Sequence, residues 1–516
     1  MVIEDQAEVI EFLGATATHG GAEVERIDTH TAVVFLAGRR AWKLKRAVRF
    51  DYLDFSTVER RKMLCEAEVR LNRRTAPTLY RSVVPVTRSP GGSLALGGSG
   101  AAVDWVVEME RFDQEALFDR LAGSGRLDLD LMAPLAQEIA RFHLDAEPRR
   151  DHGGMAGMKW VIDGNAAGFA EQGAGILPPA ECRRVTADAL AELGRCSALL
   201  DSRRESGLVR QCHGDLHLRN IVLVNGQPRL FDAVEFNDEI ACTDVLYDFA
   251  FLLMDLWRRG LPRHANTIWN GYLAETNDLE GVALLPLFLS CRAAVRAKTS
   301  ATAARLQSNA ARIGEVEQLA RQYLVMAQDL LHPPRPSLIA IGGLSGSGKS
   351  TLALALAPSI GPVPGAVVFR SDEIRKRLCG VSPLQPLGPE GYTPEISARV
   401  YDTIVERARL AMRSGHSAIV DAVHARPADR EAIERAAATA SVRFLGLWLD
   451  AAEPTLVERT KQRRLDPSDA DAAVVRMQRA QDAGPIDWHR IDASRPPGDV
   501  LHHVRRLVDD LNLSRS

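Results

Sequence analysis

The chain has 516 residues, 46% of them hydrophobic and 25% charged, enough apolar material for sizeable cores and a length that calls for two or three domains. Lys and Arg number 64 against 67 Asp and Glu, a formal net charge of −3, which excludes the basic excess of a dedicated nucleic-acid binder, so no nucleic-acid partner is expected. The acidic opening Met1-Val-Ile-Glu-Asp-Gln-Ala-Glu8 is no secretory leader, and no apolar run approaches the roughly 18 residues of a membrane span, so the expected location is cytoplasmic, off the membrane. Seven scattered cysteines without a CxxC pair read as reduced thiols.

Along the chain, Thr31-Ala-Val-Val-Phe-Leu36 and Ala41-Trp-Lys43-Leu-Lys45, joined at Ala37-Gly38-Arg39, predict a β-hairpin. Ser56-Thr-Val-Glu59 is a capping box that opens a helix to about Arg74. Two more strands are predicted over 81–86 and 102–109, flanking a Gly/Ser-rich turn over 90–100. From about Phe112 to Leu331 the patterns are mostly helical. They are interrupted at 212–236 by a loop, a short strand, a turn at Asn225-Gly226 and another short strand.

Phosphoryl transfer requires a protein to orient a hydroxyl, hold Mg²⁺ on the phosphates and neutralise charge. His213-Gly-Asp215-Leu-His217-Leu-Arg-Asn220 sets Asp215 and Asn220 at the D-x-x-x-x-N spacing of a catalytic loop, and Leu230-Phe-Asp232 supplies a further carboxylate downstream. This loop, followed by Leu230-Phe-Asp-Ala-Val-Glu-Phe236, resembles the aminoglycoside phosphotransferase and choline kinase-like family. The resemblance implies a two-lobe α+β protein-kinase-like domain, with Asp215 as the hydroxyl-orienting base and Asn220 and Asp232 on Mg²⁺. It also implies that His213 shapes the loop, that His217 faces the phosphates, and that Asp244-Val-Leu-Tyr-Asp248 follows the second metal ligand. Asp248, with Asp244 and Asp255, could meet a cationic acceptor, or these acids could cap helices and pair with Arg258 or Arg259.

A kinase-like lobe also needs a lysine on the phosphates. Lys43 and Lys45 alternate onto one strand face, which leaves both open; Ala41, two residues before Lys43, repeats an A-x-K pattern with room for adenine and favours Lys43. The lysine's carboxylate partner belongs on the following helix, where Glu66 and Glu68 are available and Glu68 fits the family pattern better. No G-x-G-x-x-G precedes the hairpin, so the turn Asp28-Thr-His-Thr31 must cover the phosphates with backbone N–H groups and hydroxyls.

The prolines of His332-Pro-Pro-Arg-Pro336 mark a junction. It separates a first domain at 1–332, with its β-lobe at about 1–110 and its helical lobe at about 111–332, from a second at 338–516 across a linker at 333–337. Beyond it strands and helices alternate, which predicts an α/β domain with a parallel sheet. The strand Leu338-Ile-Ala-Ile341 runs into Gly343-Leu-Ser345-Gly346-Ser347-Gly348-Lys349-Ser350-Thr351 and a helix. Such a loop wraps its N–H groups around the phosphates of a nucleoside triphosphate, Lys349 reaches the β and γ oxygens, and the Ser350 hydroxyl binds Mg²⁺.

After the next strand, Arg370-Ser-Asp372-Glu-Ile-Arg375 offers an Asp to orient an acceptor hydroxyl and an Arg to hold an anionic group on it, or else a helix N-cap with a surface Arg. Ala418-Ile-Val-Asp421 ends a strand in a carboxylate suited to the metal. Arg459 and Arg463 lie one turn apart on a helix, as a lid closing on phosphates or as a solvated basic face. These features resemble P-loop kinases of the polynucleotide kinase, gluconate kinase and chloramphenicol phosphotransferase type, and the absence of N-K-x-D favours ATP.

The two halves in this order resemble a bacterial bifunctional family. Trp42-Lys-Leu-Lys-Arg46, Tyr52-Leu-Asp-Phe-Ser56 and Leu71-Asn-Arg-Arg74 add to the likeness. The expected activity is ATP- and Mg²⁺-dependent phosphorylation of small-molecule hydroxyls at one site per domain. The other readings are a regulatory protein whose P-loop domain is an ATPase switch and a toxin-like nucleotide-sugar kinase.

Overall fold

The structure is a computed structural model that describes residues 4–50, 52–307, 309–462 and 467–513. They form two compact units, one of Met1–Asp255 with Cys291–Leu306 and the other of Leu256–Ser290 with Gln307–Ser516.

The first unit carries a six-stranded antiparallel sheet of β1 (Val24–Asp28), β2 (Ala32–Ala37), β3 (Arg40–Lys45), β4 (Tyr80–Arg88), β5 (Leu94–Leu96) and β6 (Ala101–Glu110). Their order is β1-β2-β3-β6-β4-β5. The expected hairpin is β2–β3, turning through Gly38 at φ 55°. Two strands were not foreseen: β1, whose Val-Glu-Arg-Ile-Asp sequence is largely exposed, and β5, which lies inside the stretch read as a turn. Helix α1 (Val58–Asn72) is capped by Thr57, which accepts from the Arg60 N–H, one position later than the capping box implied. The Ser56 N–H instead donates to Asp54.

Strand alternation decides what each sheet face carries. Val33, Phe35, Leu44, Val86 and Val106 pack with Val9 and Leu13 of the helix Ala7–Gly14. Leu36, Ala41, Val107 and Met109 pack with Cys65 and Val69 of α1 on the other face. Lys43 and Lys45 share the parity of Ala41 and so face α1, where Glu68 lies on the buried stripe with Leu64, Cys65 and Asn72.

The helices Met132–Asp145, Gly154–Glu171 and Pro179–Glu205 follow. Ile221–Val224 and Gln227–Leu230 then pair antiparallel across Asn225 and Gly226, both at positive φ, as an Asn-Gly hairpin turn requires. A second short pair joins Val209–Gln211 to Cys242–Asp244, and Arg203 grips Asp244 there with hydrogen bonds of 2.7 and 2.9 Å.

The second unit holds a parallel sheet of β7 (Ser337–Gly343), β8 (Val367–Arg370), β9 (Ala418–Asp421), β10 (Arg443–Asp450) and β11 (His489–Asp492), ordered β8-β9-β7-β10-β11. β7 and β9 are buried along their whole length, which is why they read as unbroken apolar runs. β11 was not foreseen, because only Ile491 of His489-Arg-Ile-Asp492 is buried. Helices α2 (Lys349–Leu356), α3 (Ser371–Leu378) and α4 (Pro394–Arg413) follow β7 and β8. The central place of β7 brings the phosphate loop to the carboxyl ends of its neighbours, where ligands bind in open α/β sheets.

The helix Pro262–Thr276 belongs to this unit. Its Asn266 amide donates to the Pro364 and Ala366 carbonyls, and Asn270 Oδ1 accepts from the Val368 N–H of edge strand β8 at 2.7 Å. The junction expected at 333–337 therefore lies inside the unit. Among the described residues no helix is long and apolar enough to cross a membrane.

Ile419, fully buried in β9 at the centre of the second core, tests this packing. Ile419→Ala is expected to lower the unfolding free energy by about 3 kcal/mol in urea denaturation. Leu354→Ala, at a half-exposed position on α2, is expected to change it by less than about 1 kcal/mol.

Candidate functional site

In the first unit β3, α1 and the segment 213–236 meet in a cluster of five charges. Lys43 Nζ lies 2.8 Å from Glu68 Oε1 and 2.5 Å from Asp232 Oδ1. Lys45 Nζ lies 2.5 Å from the other Glu68 oxygen and forms an ion pair with Glu235. Glu66 faces solvent and pairs with Lys62. The Lys43 side chain is 17% exposed and that of Lys45 only 2%, with Phe55 beneath the Lys45 ammonium at 5.0 Å.

Burial alone would raise the Glu68 carboxyl, but Lys43 and Lys45 overcome it and hold the pKa at about 2. Burial likewise works against the Lys43 ammonium, and Asp232 and Glu68 reverse that, raising it well above the usual lysine value. Glu235 is raised by burial, against the pull of Lys45.

Asp215 and Asn220 come together as their spacing implied. Asn220 Nδ2 donates to the Asp215 carbonyl at 2.9 Å and to Asp215 Oδ2 at 3.1 Å. The group Asn220 can then offer a cation is its amide oxygen; with the Asp232 carboxylate this makes the all-oxygen donor set that suits Mg²⁺. His217 Nε2 lies 3.3 Å from Asp215 Oδ2, and 42% of the Asp215 side chain is exposed. Burial opposes charge on Asp215, while His217, His213 and Arg296 outweigh it and keep the carboxyl well below its usual range.

Asp248 requires a correction. Expected on the substrate, it is fully buried and anchors the loop from behind. Its Oδ2 accepts from the His213 N–H at 3.1 Å and its Oδ1 from the Gly214 N–H at 2.8 Å. His143 and Arg292 flank the same carboxylate. Gly214 has φ 82°, and a Cβ there would meet Val234 at 3.0 Å, which accounts for glycine before Asp215.

The Asp232 segment is tied down with equal care. Its residue sits at φ 62°, unusual for a non-glycine. Its N–H donates to the Tyr80 hydroxyl at 3.1 Å, and the Ala233 N–H donates to Asn72 Oδ1 at 2.8 Å. His213 Nε2 lies 2.9 Å from the Phe231 carbonyl. Sequence reasoning missed Tyr80, Asn72 and Glu235; the available signals were Glu235 within the quoted Leu230–Phe236 motif and Asn72 within Leu71–Arg74. The turn at 28–31 joins β1 to β2 and is closed by Thr29 on Ala32, with Arg46 donating to the Thr29 carbonyl.

In the second unit the glycines of the phosphate loop adopt φ of 134° (Gly343), 85° (Gly346) and 91° (Gly348). A Cβ at Gly343 would lie 2.4 Å from the Leu449 carbonyl oxygen and one at Gly346 2.4 Å from that of Leu456, so the loop wraps too tightly for any side chain there. Ser350 Oγ donates to Asp421 Oδ2 at 2.5 Å and Lys349 Nζ to the Leu344 carbonyl at 3.1 Å. The Ser350 and Asp421 oxygens again suit Mg²⁺.

Ser345, Ser347, Thr351, Asp372, Arg375, Asp421 and Arg459 line one cleft of about 1040 Å³ with Gly346, Gly348, Lys349 and Ser350. Asp372 occupies the first turn of α3. Arg375 is buried, donating to the Gly391 carbonyl and Ser397 Oγ over the Tyr392 ring. Of the two arginines read as a lid or a solvated basic face, Arg459 donates to the Ala493 carbonyl at 2.9 Å, and Arg463 lies outside the described residues.

Three further groups escaped sequence reasoning. Gln478 Oε1 accepts from the Ser345 N–H at 2.9 Å. Asp469 accepts from Lys376, Tyr392 and the Leu387 N–H, tying its own segment to α3 and the loop that follows it. His424 is buried at φ 51°, and burial, with Lys349 and Arg430 nearby, lowers its pKa to about 3, so the ring is neutral.

Comparison with known proteins gives three findings. Residues 338–485 match the family described as AAA domain. Over 497 residues the chain is 30% identical to an uncharacterized protein of Mycobacterium tuberculosis (strain H37Rv), covering 93% of this chain and 95% of that one. Among solved structures, Plasmodium vivax ethanolamine kinase aligns over 63% of this chain and 90% of its own at 12% identity, TM-score 0.39. A gluconokinase from Sinorhizobium meliloti aligns over 35% of this chain and 98% of its own at 21% identity, TM-score 0.25.

The Glu68 cluster makes acid stability a direct readout. A carboxyl held at about 2 in the folded chain, below its ordinary 4.5, contributes stability in full above about pH 5 and loses it as pH falls from 4.5 towards 2. The stability gap between the natural chain and Glu68→Gln is expected to stay level from about pH 8 to 5.5 and to close between about pH 4.5 and 2, measured by urea denaturation at each pH.

Proposed function

The chain belongs to the family of the Mycobacterium tuberculosis protein to which it is 30% identical, and from that premise we propose that it is a phosphotransferase with two active sites, one in each unit. Each moves the γ-phosphoryl group of ATP to a hydroxyl of a small molecule. The observation that carries the reading is Lys43 between Glu68 and Asp232, which joins residues far apart in sequence into the lysine, helix-glutamate and metal-acid arrangement of a kinase. That the second unit independently presents Lys349 and Ser350 on a phosphate loop, with Asp421 at the end of β9 beside them, supports a second site.

In the first site Lys43 serves the phosphates, since Lys45 is sealed from solvent. Asn220 and Asp232 would hold Mg²⁺, which when bound would neutralise phosphate charge. Asp215, kept ionised by its histidine neighbours, accepts a hydrogen bond from the acceptor hydroxyl and orients its oxygen towards the γ-phosphorus. As the new O–P bond forms and the bond to the ADP oxygen breaks, the hydroxyl proton passes to Asp215. A base of such low pKa takes the proton late, which a loose phosphoryl-transfer transition state allows.

In the second site the N–H groups of 343–351 cradle the phosphates, Lys349 turns from the Leu344 carbonyl to the β and γ oxygens, and Ser350 and Asp421 hold the metal. Asp372 orients the acceptor hydroxyl across the cleft, and Arg375 and Arg459 supply positive charge at its walls.

The test is a γ-labelled ATP screen against fractionated bacterial metabolites, comparing the natural chain with Asp215→Asn and Lys349→Ala. Two labelled products are expected, each reduced at least about a hundredfold in only one variant. One product lost in both variants would mean coupled chemistry. Slow ATP hydrolysis with no labelled product would refute the two-kinase reading and leave the regulatory one.

A further inference from the structure

Two members of the charged cluster have no part in the proposed chemistry. Lys45 and Glu235 are almost wholly buried, at 2% and 5% side-chain exposure. Burying an ion pair seldom stabilises a fold more than apolar residues of the same size would, so their presence calls for a reason other than stability.

Their placement supplies one. Lys45 stands two residues after Lys43 on β3, and Glu235 stands three after Asp232. Lys43 with Asp232 and Lys45 with Glu235 are thus two rungs between the same two segments. Glu68 joins them, giving Oε1 to Lys43 and Oε2 to Lys45. The Lys43–Asp232 rung is open, with 42% of the Asp232 side chain exposed; the other is closed.

We propose that Lys45 and Glu235 are positioning residues for the Mg²⁺·ATP site of the first unit, a closed rung that keeps Asp232 in place while Lys43 lets go of it to meet a phosphate. The inference rests on the proposed function of that site. Without the closed rung, hydrogen bonds to Tyr80, Asn72 and His213 would still hold the backbone at 231–233, but the ion pair between the Asp232 side chain and β3 would be the Lys43 rung, which the approach of a phosphate to Lys43 would release. With it, one Glu68 oxygen is already saturated, and Lys43 is steered by the other oxygen alone.

The experiment is calorimetric titration of ATP into protein carrying Lys349→Ala, which disables the second site, over a series of Mg²⁺ concentrations. Glu235→Gln and Lys45→Met are each expected to raise the half-saturating Mg²⁺ concentration about tenfold, while ATP affinity at saturating Mg²⁺ stays within about twofold. Lys45→Arg should restore the natural Mg²⁺ dependence, and the double substitution Lys45→Met/Glu235→Leu should add nothing further, because the pair acts as one device.

A folded Glu235→Gln protein with the parent's Mg²⁺ dependence would overturn the inference. So would a parallel loss of Mg²⁺ dependence, ATP affinity and thermal stability, which is what a merely structural pair would give. If Glu235→Gln does not fold, the double substitution, which leaves neither charge buried alone, decides by the same criterion. If the parent protein binds no ATP with Mg²⁺, the proposed function of the first site fails, and this inference falls with it.

Discussion

A single buried carboxylate organises the first unit. Glu68 can stay ionised in a fully buried position only because Lys43 and Lys45 approach its two oxygens from the same strand face. That approach requires β3 to present alternate residues towards α1, and α1 to turn Glu68 inward with Cys65 and Asn72. Asn72, one turn further on, bonds back to the Glu68 carbonyl and forward to the Ala233 N–H. The helix that carries the carboxylate therefore also fixes the segment that carries Asp232. The sheet parity, the helix phase and the acidic segment are a single constraint expressed in three places.

The second unit meets the same chemical demand by other means. Its cleft also carries charged side chains, among them Lys349, Asp372, Arg375, Asp421 and Arg459, but the loop at 343–350 is shaped by its backbone conformation. Gly343, Gly346 and Gly348 take conformations closed to other residues, and Gly343 and Gly346 lie against the carbonyl oxygens of Leu449 and Leu456 at the limit of approach. A side-chain cluster must be held by ion pairs, whereas a backbone cradle is held by its own dihedral angles and by the strand it springs from. That difference explains why the cluster around Glu68 has so many anchoring contacts behind it while the loop at 343–350 is legible as eight consecutive residues.

It also explains what could be read from the chain. The phosphate loop, the D-x-x-x-x-N loop and the parallel sheet were legible because their determinants are local: a spacing, a run of buried strand residues, a glycine where φ must be positive. What depends on tertiary closure was not. Glu68 could be told from Glu66 only by family pattern until the helix phase was known, and Asp248 looked like a substrate acid because burial leaves no mark in a motif. The edge strands β1 and β11 are too polar to announce themselves. The helix Pro262–Thr276 reads as part of the first domain because nothing in its sequence reveals that Asn266 and Asn270 reach residues about a hundred positions later.

The acidic residues of the first unit divide by exposure into those open to solvent and those sealed from it. Asp215 and Asp232 each keep a large part of the carboxylate open to solvent; Glu68 and Asp248 have none. The Asp248 carboxylate, which accepts from the His213 and Gly214 N–H groups and is flanked by His143 and Arg292, has no face open to solvent and fixes the backbone just before Asp215. Motif position alone cannot separate the two kinds, since Asp248 stands in the family segment as prominently as Asp232. Charge placed where solvent reaches it is available for chemistry, and charge sealed away is there to set a geometry; the rungs of Lys43 and Lys45 show both uses within three residues of one strand.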